Sequence, residues 1–467
     1  MVDISIFNAT IATMNKNRDI INDGAVIIEG NKILDVDRSK IIRSKYGEEG
    51  KIIDGTGMLV IPGLINAHTH TYEILFRGLG DDLGPLLNWS NTLLRPFSPF
   101  LDSEVVYISA LLSCLEMVKS GTSFFVDHPC QNTAEAAIDQ TARAIKEVGL
   151  RGLIAKGMWP QTGRLTKMGF EGNPSLDEEV KLTEKLICKW HGKADGRILV
   201  CPAPVISAWV EDELIMEAKR ISDKYDVPIH AHTAEVPDEV QASLEDYGKR
   251  EVERLYDLGV LGPKFHVVHG VWLNASEIEK MGKTKANLIH CPVSNMYLAS
   301  GVAPVPQLLK AGANVALGAD VSCNENNDMI RVMKAAALLH KVHNLDPKAI
   351  SAGQAFEMGT LGGARSLGLE SEIGSIEAGK KADLVLINMM KPHLVPAHRM
   401  IATLVYCADG ADVETVIIDG KITMENREVK TVDEQMIINK ALEVGRNLIE
   451  RGDINHLRNR SQFTKPD

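Results

Sequence analysis

Residues 59–70 read LVIPGLINAHTH, an apolar run broken by Pro-Gly, a second short apolar run, and then two histidines around one threonine. On an extended strand residues i and i+2 face the same side. His68 and His70 therefore project together and Thr69 turns away. Seven further apolar runs follow the same grammar: SFFVDH (123–128), GLIAKGM (152–158), ILVCPAPV (198–205), PIHAHTAE (228–235), FHVVHG (265–270), NLIHCPVS (287–294) and VALGAD (315–320). Amphipathic stretches such as EVVYISALLSCLEMVKS (104–120) and EDELIMEAKRISDKY (211–225) lie between them. Eight strands alternating with helices predict an α/β chain whose middle is a parallel (β/α)8 barrel.

Working outward, the flanks carry a different pattern. SIFNATIATM (5–14), GAVIIEGNKILDV (24–36) and GKIIDGTGMLVIPG (50–63) read as strands joined by Gly and Asn turns. Near the other end, IGSIEAGKKADLVLIN (373–388) and VETVIIDGKITMENREV (413–429) repeat it. The likeness of VIIEGNKI to VIIDGKIT suggests that the two pair in one sheet. The expected organisation is a small β-sandwich built from residues 1–60 and 371–430, a barrel over 61–370 inserted into it, and a helical extension over 431–467.

The chain of 467 residues is 45% hydrophobic and 24% charged, enough apolar surface for a large core. A formal net charge of −11 disfavours phosphate backbones, so no nucleic-acid partner is expected. No basic leader precedes a long apolar run and no run approaches 18 apolar residues, so neither a signal peptide nor a membrane span is expected. Seven scattered cysteines without CxxC spacing suit a reducing cytoplasm and argue against a thiolate zinc site.

The chemistry-bearing residues fall at the strand ends. His68 and His70 close the first run, His230 and His232 the fifth, His266 and His269 the sixth, His290 the seventh, and Asp320 the eighth. Barrel active sites sit at the mouth where strands end. His68, His70, His232 and Asp320 are thus predicted metal ligands, an N/O set with an open position that describes a catalytic site. Glu235, three residues past His232, is placed to act as general acid/base on a water. His269 and Asp320 are expected to take part in the chemistry beside it, and His230 to stand behind the ligands.

These stretches resemble the amidohydrolase superfamily, from PGLINAHTH (62–70) through HTAE (232–235), HGVWL (269–273), HCPVSNMYLASGVAPV (290–305) and LGAD (317–320) to GSIEAGKKADLVL (374–386). Within it the chain resembles the branch of chlorotriazine hydrolases, melamine deaminases, adenosine-type deaminases and guanine deaminases. The resemblance implies one divalent metal ion, zinc before iron, and hydrolytic removal of an exocyclic amino group as ammonia from an aminotriazine, pyrimidine or purine ring. It implies that Glu73 and Trp89 line the substrate pocket, with Asn295, Cys323 and His269 as further substrate contacts, and that the chain pairs into a homodimer or larger homo-oligomer around a small-molecule substrate. One place departs from the adenosine-type pattern. Where those relatives carry His-Ala-Pro after the fourth strand, this chain reads Cys201-Pro202-Ala203-Pro204. That departure favours small rings such as melamine over adenosine or S-adenosylhomocysteine. The same machinery would serve displacement of chloride or an alkylamine from a triazine. Hydrolysis of a cyclic amide would need two metals and a modified lysine, for which Lys156 is the nearest position. A non-catalytic scaffold would be expected to have lost its ligands.

Overall fold

The eight runs form two four-stranded parallel sheets in sequence order. The first holds β1 (Leu64–Thr69), β2 (Thr122–Asp127), β3 (Arg151–Met158) and β4 (Ile198–Pro204). The second holds β5 (Ile229–Thr233), β6 (Phe265–His269), β7 (Asn287–His290) and β8 (Asn314–Leu317). The computed structural model describes residues 2–130, 134–161, 164, 173–323 and 326–459. β1, β2, β3 and β5 are buried at every residue, which explains their continuous apolar runs: a parallel strand covered on both faces has no polar side to alternate with. The two sheets meet at both edges. Thr69 bridges Asp320, and Ile206 bridges His232, both in parallel sense. The His70 amide donates to the Asp320 carbonyl at 3.2 Å and the His232 amide to that of Val205 at 3.1 Å.

Both chain ends enter one nine-stranded mixed sheet. They join where strand Met58–Pro62 runs antiparallel to Leu384–Asn388, with Val60 opposite Leu386. The two similar hairpins share this sheet but do not pair, because three strands lie between them. Their turns meet instead: Gly420, at φ 74°, leaves room for the Gly30 carbonyl, which any Cβ there would displace. Arg151, at the start of β3, ties this sheet to the parallel ones. Its guanidinium donates to Asp383 at 2.7 and 3.2 Å and to Asp419 at 2.7 Å, all three side chains being buried.

Helix Ser103–Lys119 starts on Asp102, whose carboxylate accepts from the Glu104 and Val105 amides. Helix Glu434–Arg451 packs along it, held at one end by Lys119–Glu434 and at the other by Arg451–Asp102. The expected extension over 431–467 is helical over Glu434–Arg451 and Asn455–Arg458, and its residues 460–467 lie outside the described ones. Among the described residues no helix is long and apolar enough to cross a membrane.

Candidate active site

His68 and His70 come from the end of β1, His232 from the end of β5 and Asp320 from three residues past β8. One ligand-type atom from each of the four lies within 4.8 Å of the others, and all four residues are buried. Backbone carbonyls decide how two of the imidazoles present themselves. The Nδ1 of His70 is 2.6 Å from the His128 carbonyl and that of His232 is 2.7 Å from the Val205 carbonyl. A carbonyl only accepts, so each Nδ1 carries the hydrogen, and Nε2 is the atom each ring turns toward the cluster, a lone pair whenever the ring is neutral. His68 Nε2 lies 3.0 Å from Asp320 Oδ1, yet makes no hydrogen bond of acceptable geometry. His70 Nε2 is 3.3 Å from the same oxygen. Burial pushes the Asp320 carboxyl up, but His269 and His68 beside it hold it well below the usual carboxylate range. Imidazole nitrogens and a carboxylate turned on one point, with an orphaned buried nitrogen among them, fit a divalent transition metal, and the backbone partners behind them are the support such ligands need.

Beside this cluster stand the groups that can move protons. Glu235 follows Ala234, which sits at φ 52°, while His269 and Asp320 sit at φ 71° and 68°. Non-glycine residues in the left-handed region cost on the order of 1–3 kcal/mol each and gather at functional sites. Here they turn the chain sharply at three strand ends and aim the side chains inward. His269 Nε2 lies 3.4 Å from Glu235 Oε2 and 3.8 Å from Asp320 Oδ2. Its Nδ1 is 3.0 Å from Asn295 Oδ1, which only accepts, so the ring donates there and turns Nε2 toward the site. The Ser300 hydroxyl donates to Glu235 Oε1 at 3.3 Å. Burial raises the Glu235 carboxyl above its ordinary value against the pull of His269.

A cavity opens over these groups. Its polar lining includes His70, Glu73, His232, Glu235, His269 and Asp320, and its walls include Tyr72, Trp89, Trp159, Val205, Ile206, Trp209, Leu298 and Val321. Glu73 and Trp89, expected as substrate contacts, are both among the lining residues. Burial pushes the Glu73 carboxyl up to about 8, and its Oε2 has no partner. Asn295 and Cys323 do not line the cavity. Asn295 instead supports His269, and Cys323 is buried. Lys156 is turned away from the cluster. It sits on β3 against Glu179 of helix Leu176–Trp190, where both are buried, so it pairs with a helix outside the sheet rather than with a metal.

Sequence reading passed over His128. It ends SFFVDH at the same strand-end position as the other histidines, a signal the strand-end rule contains. Its carbonyl holds His70, its ring stacks on His232 at 4.9 Å and His70 at 5.6 Å, and neither ring nitrogen has a hydrogen-bond partner. Trp159 and Trp209 were also missed, and no local pattern marks them.

Comparison with known proteins agrees with this geometry. Residues 59–423 match the amidohydrolase family. The chain is 40% identical over 422 residues to the 5′-deoxyadenosine deaminase of Methanothermobacter thermautotrophicus, covering 90% of this chain and 94% of that protein. It is 38% identical to the 5-methylthioadenosine/S-adenosylhomocysteine deaminase of Syntrophomonas wolfei, covering 96% and 99%. Among solved structures, an adenosine deaminase from Xanthomonas campestris with bound zinc superposes with a TM-score of 0.88 at 30% identity, covering 97% of this chain and 99% of that one.

Proposed function

We infer the reaction from one premise, that this chain belongs to the amidohydrolase family. It is a hydrolase that replaces an exocyclic amino group on a nitrogen heteroaromatic ring and releases ammonia. The observation that carries the mechanism is the convergence of imidazole nitrogens and the Asp320 carboxylate beside the buried Glu235. The metal is read as one divalent ion held by His68, His70, His232 and Asp320, zinc before iron, a choice supported by the zinc in the Xanthomonas relative. Such an ion supplies a water whose pKa is lowered toward neutrality.

The chain's own groups do the rest. As the water oxygen attacks the ring carbon, Glu235 takes one of its protons and delivers it to the neighbouring ring nitrogen, so the ring accepts the electron pair. His269, oriented by its Nδ1 bond to Asn295, and Asp320 accept the second proton's hydrogen bond and hold the attacking oxygen in line. That proton passes to the departing amine through Glu235, the C–N bond breaks, and ammonia leaves. Trp89, Trp209, Leu298 and Val321 give the ring apolar and aromatic faces and keep bulk water away. Glu73, with an unpartnered oxygen on the cavity, accepts from hydroxyl or amino groups of the substrate.

The ring is proposed to be the purine of an adenosine-type nucleoside altered at its 5′ position. The missing histidine after β4 had put such nucleosides behind aminotriazines. The names of the relatives at 38–40% identity support the nucleosides instead. Physically, Val205 and Ile206 form that wall here, and Trp209 beyond them offers a stacking face in place of a directional hydrogen bond. Measuring kcat/KM for 5′-deoxyadenosine, 5′-methylthioadenosine, adenosine, guanine, cytosine and melamine side by side tests the reading. The nucleosides should lead by at least an order of magnitude, and a lead for melamine or guanine would sink it.

The two parallel sheets are read as one closed eight-stranded barrel, supported by the bridges at both edges. The terminal sheet is read as a sandwich folded across the Gly30 and Gly420 turns. The division into 1–60 with 371–430, 61–370 and 431–467 follows from that reading.

A further inference from the structure

His70 and His232 each end on a backbone carbonyl, but His68 does not. Its Nδ1 lies 2.8 Å from Nε2 of His230, whose Nδ1 lies 3.0 Å from Nδ1 of His266, whose Nε2 lies 2.7 Å from the carbonyl of Ser366. His68, His230 and His266 are completely buried, so no solvent enters the row. Ser366 closes the helical segment that runs through Ala352–Glu357, Met358–Gly362 and Gly363–Ser366, and the last carbonyls of such a segment have no partner within it.

A neutral imidazole has one N–H and one lone pair, so a row of them has a direction. The Ser366 oxygen accepts and never donates, so His266 Nε2 carries its hydrogen. His266 Nδ1 is then an acceptor and His230 Nδ1 must donate to it. His230 Nε2 is in turn an acceptor, and His68 Nδ1 must donate. The only nitrogen left bare is His68 Nε2, the orphaned atom that faces Asp320. The opposite direction would set a lone pair of His266 against the Ser366 oxygen at 2.7 Å. Burial keeps His266 neutral, its pKa pushed down to about 4.

We propose that His230 and His266 are positioning residues which, anchored on the Ser366 carbonyl, fix the tautomer of His68 and present its Nε2 lone pair to the metal. The proposal rests on the reading of His68 as a ligand. All three ligand imidazoles then end on backbone carbonyls, two directly and one through a relay that crosses the strand pair β5–β6, where His230 stands opposite His266.

The test is zinc affinity by chelator competition, with the absorption spectrum of the cobalt(II)-substituted protein as a second readout. His68→Asn, His266→Leu and His266→Gln are compared with the unaltered chain. His266→Leu should weaken zinc binding by about 10–100-fold, the range for lost support behind a ligand, and change the cobalt spectrum. His266→Gln, which can accept and donate at once, should recover most of the loss. Wild-type affinity in both His266 variants while His68→Asn loses the metal would overturn the relay and leave the metal centre standing. Wild-type affinity in His68→Asn would overturn the metal centre itself, and the relay with it. If His266→Leu does not fold, ¹⁵N-histidine spectra of the metal-free, unaltered protein decide. Hydrogen on His68 Nδ1 is expected, and hydrogen on Nε2 overturns the proposal.

Discussion

Replacing Glu235 by glutamine isolates the proton chemistry from the metal and the fold. The amide has nearly the shape of the carboxyl, so the contact with Ser300 at 3.3 Å survives, and the backbone bond from the Glu235 amide to Glu239 at 2.7 Å is untouched. Stability should not fall. Burial raises the carboxyl pKa, so ionising Glu235 works against the fold, and that penalty grows as pH rises above the ordinary glutamate value. A neutral amide never incurs it, and the metal-free variant should unfold at or above the wild-type temperature at pH 8. Turnover should collapse. General acid/base assistance is worth about 10²–10⁴-fold per step, or about 2.7–5.4 kcal/mol at 1.36 kcal/mol per tenfold. In the proposed mechanism Glu235 acts first on the water and ring nitrogen and then on the leaving amine, so a loss toward the upper end is expected in kcat. Zinc content should be unchanged, since Glu235 is not in the proposed ligand set. The assay is ammonia release from the best nucleoside found, with metal analysis on the same sample. A variant that keeps its zinc and turns over within tenfold of wild type would show that another group carries the protons.

Elemental analysis of protein purified without chelator should find about one divalent ion per chain, as a single mononuclear site requires; two per chain would refute it. Glu73, pushed up to about 8 by burial, should contribute stability that is fully present below about 4.5 and is lost as pH rises through about 8. Melting curves of the metal-free protein from pH 5 to 9 should therefore flatten in Glu73→Gln, and parallel curves would refute the cause. Arg151→Met should cost about 3–5 kcal/mol in urea unfolding, because it leaves Asp383 and Asp419 buried without their partner. A loss below about 1 kcal/mol would show that the buried ion pairs do not hold the terminal sheet to the parallel ones.

Much of this was legible in the sequence because the signals are local. A strand has period two, so HTH in 68–70 places two imidazoles on one side whatever surrounds them. Apolar runs alternating with amphipathic stretches marked the strands, and all eight are present. His232, Glu235, His269 and Asp320 could be picked out because each lies at or just past a strand end. The same rule reaches His128 at the end of SFFVDH.

The rest depends on which strands become neighbours and in what register, and no short window of sequence contains that. The similar hairpins looked like partners, yet three strands separate them, because pairing follows sheet order and not likeness. Trp159 reaches the cavity from a loop and Trp209 from the short 3-10 helix Ser207–Trp209, and the approach of both is set by packing. Asn295, expected at the substrate, is drawn back to His269 by a 3.0 Å hydrogen bond. His230 and His266 align only because β5 and β6 pair with these two residues opposite, and because the helical segment ending at Ser366 turns a carbonyl toward them. The residue types and their spacing thus marked the strands and a candidate ligand set, and the quoted motifs carried the resemblance to the family. The tertiary structure alone decided which nitrogen of each candidate ligand imidazole faces the cluster, because a ring is oriented by the atom behind it, and that atom comes from elsewhere in the chain.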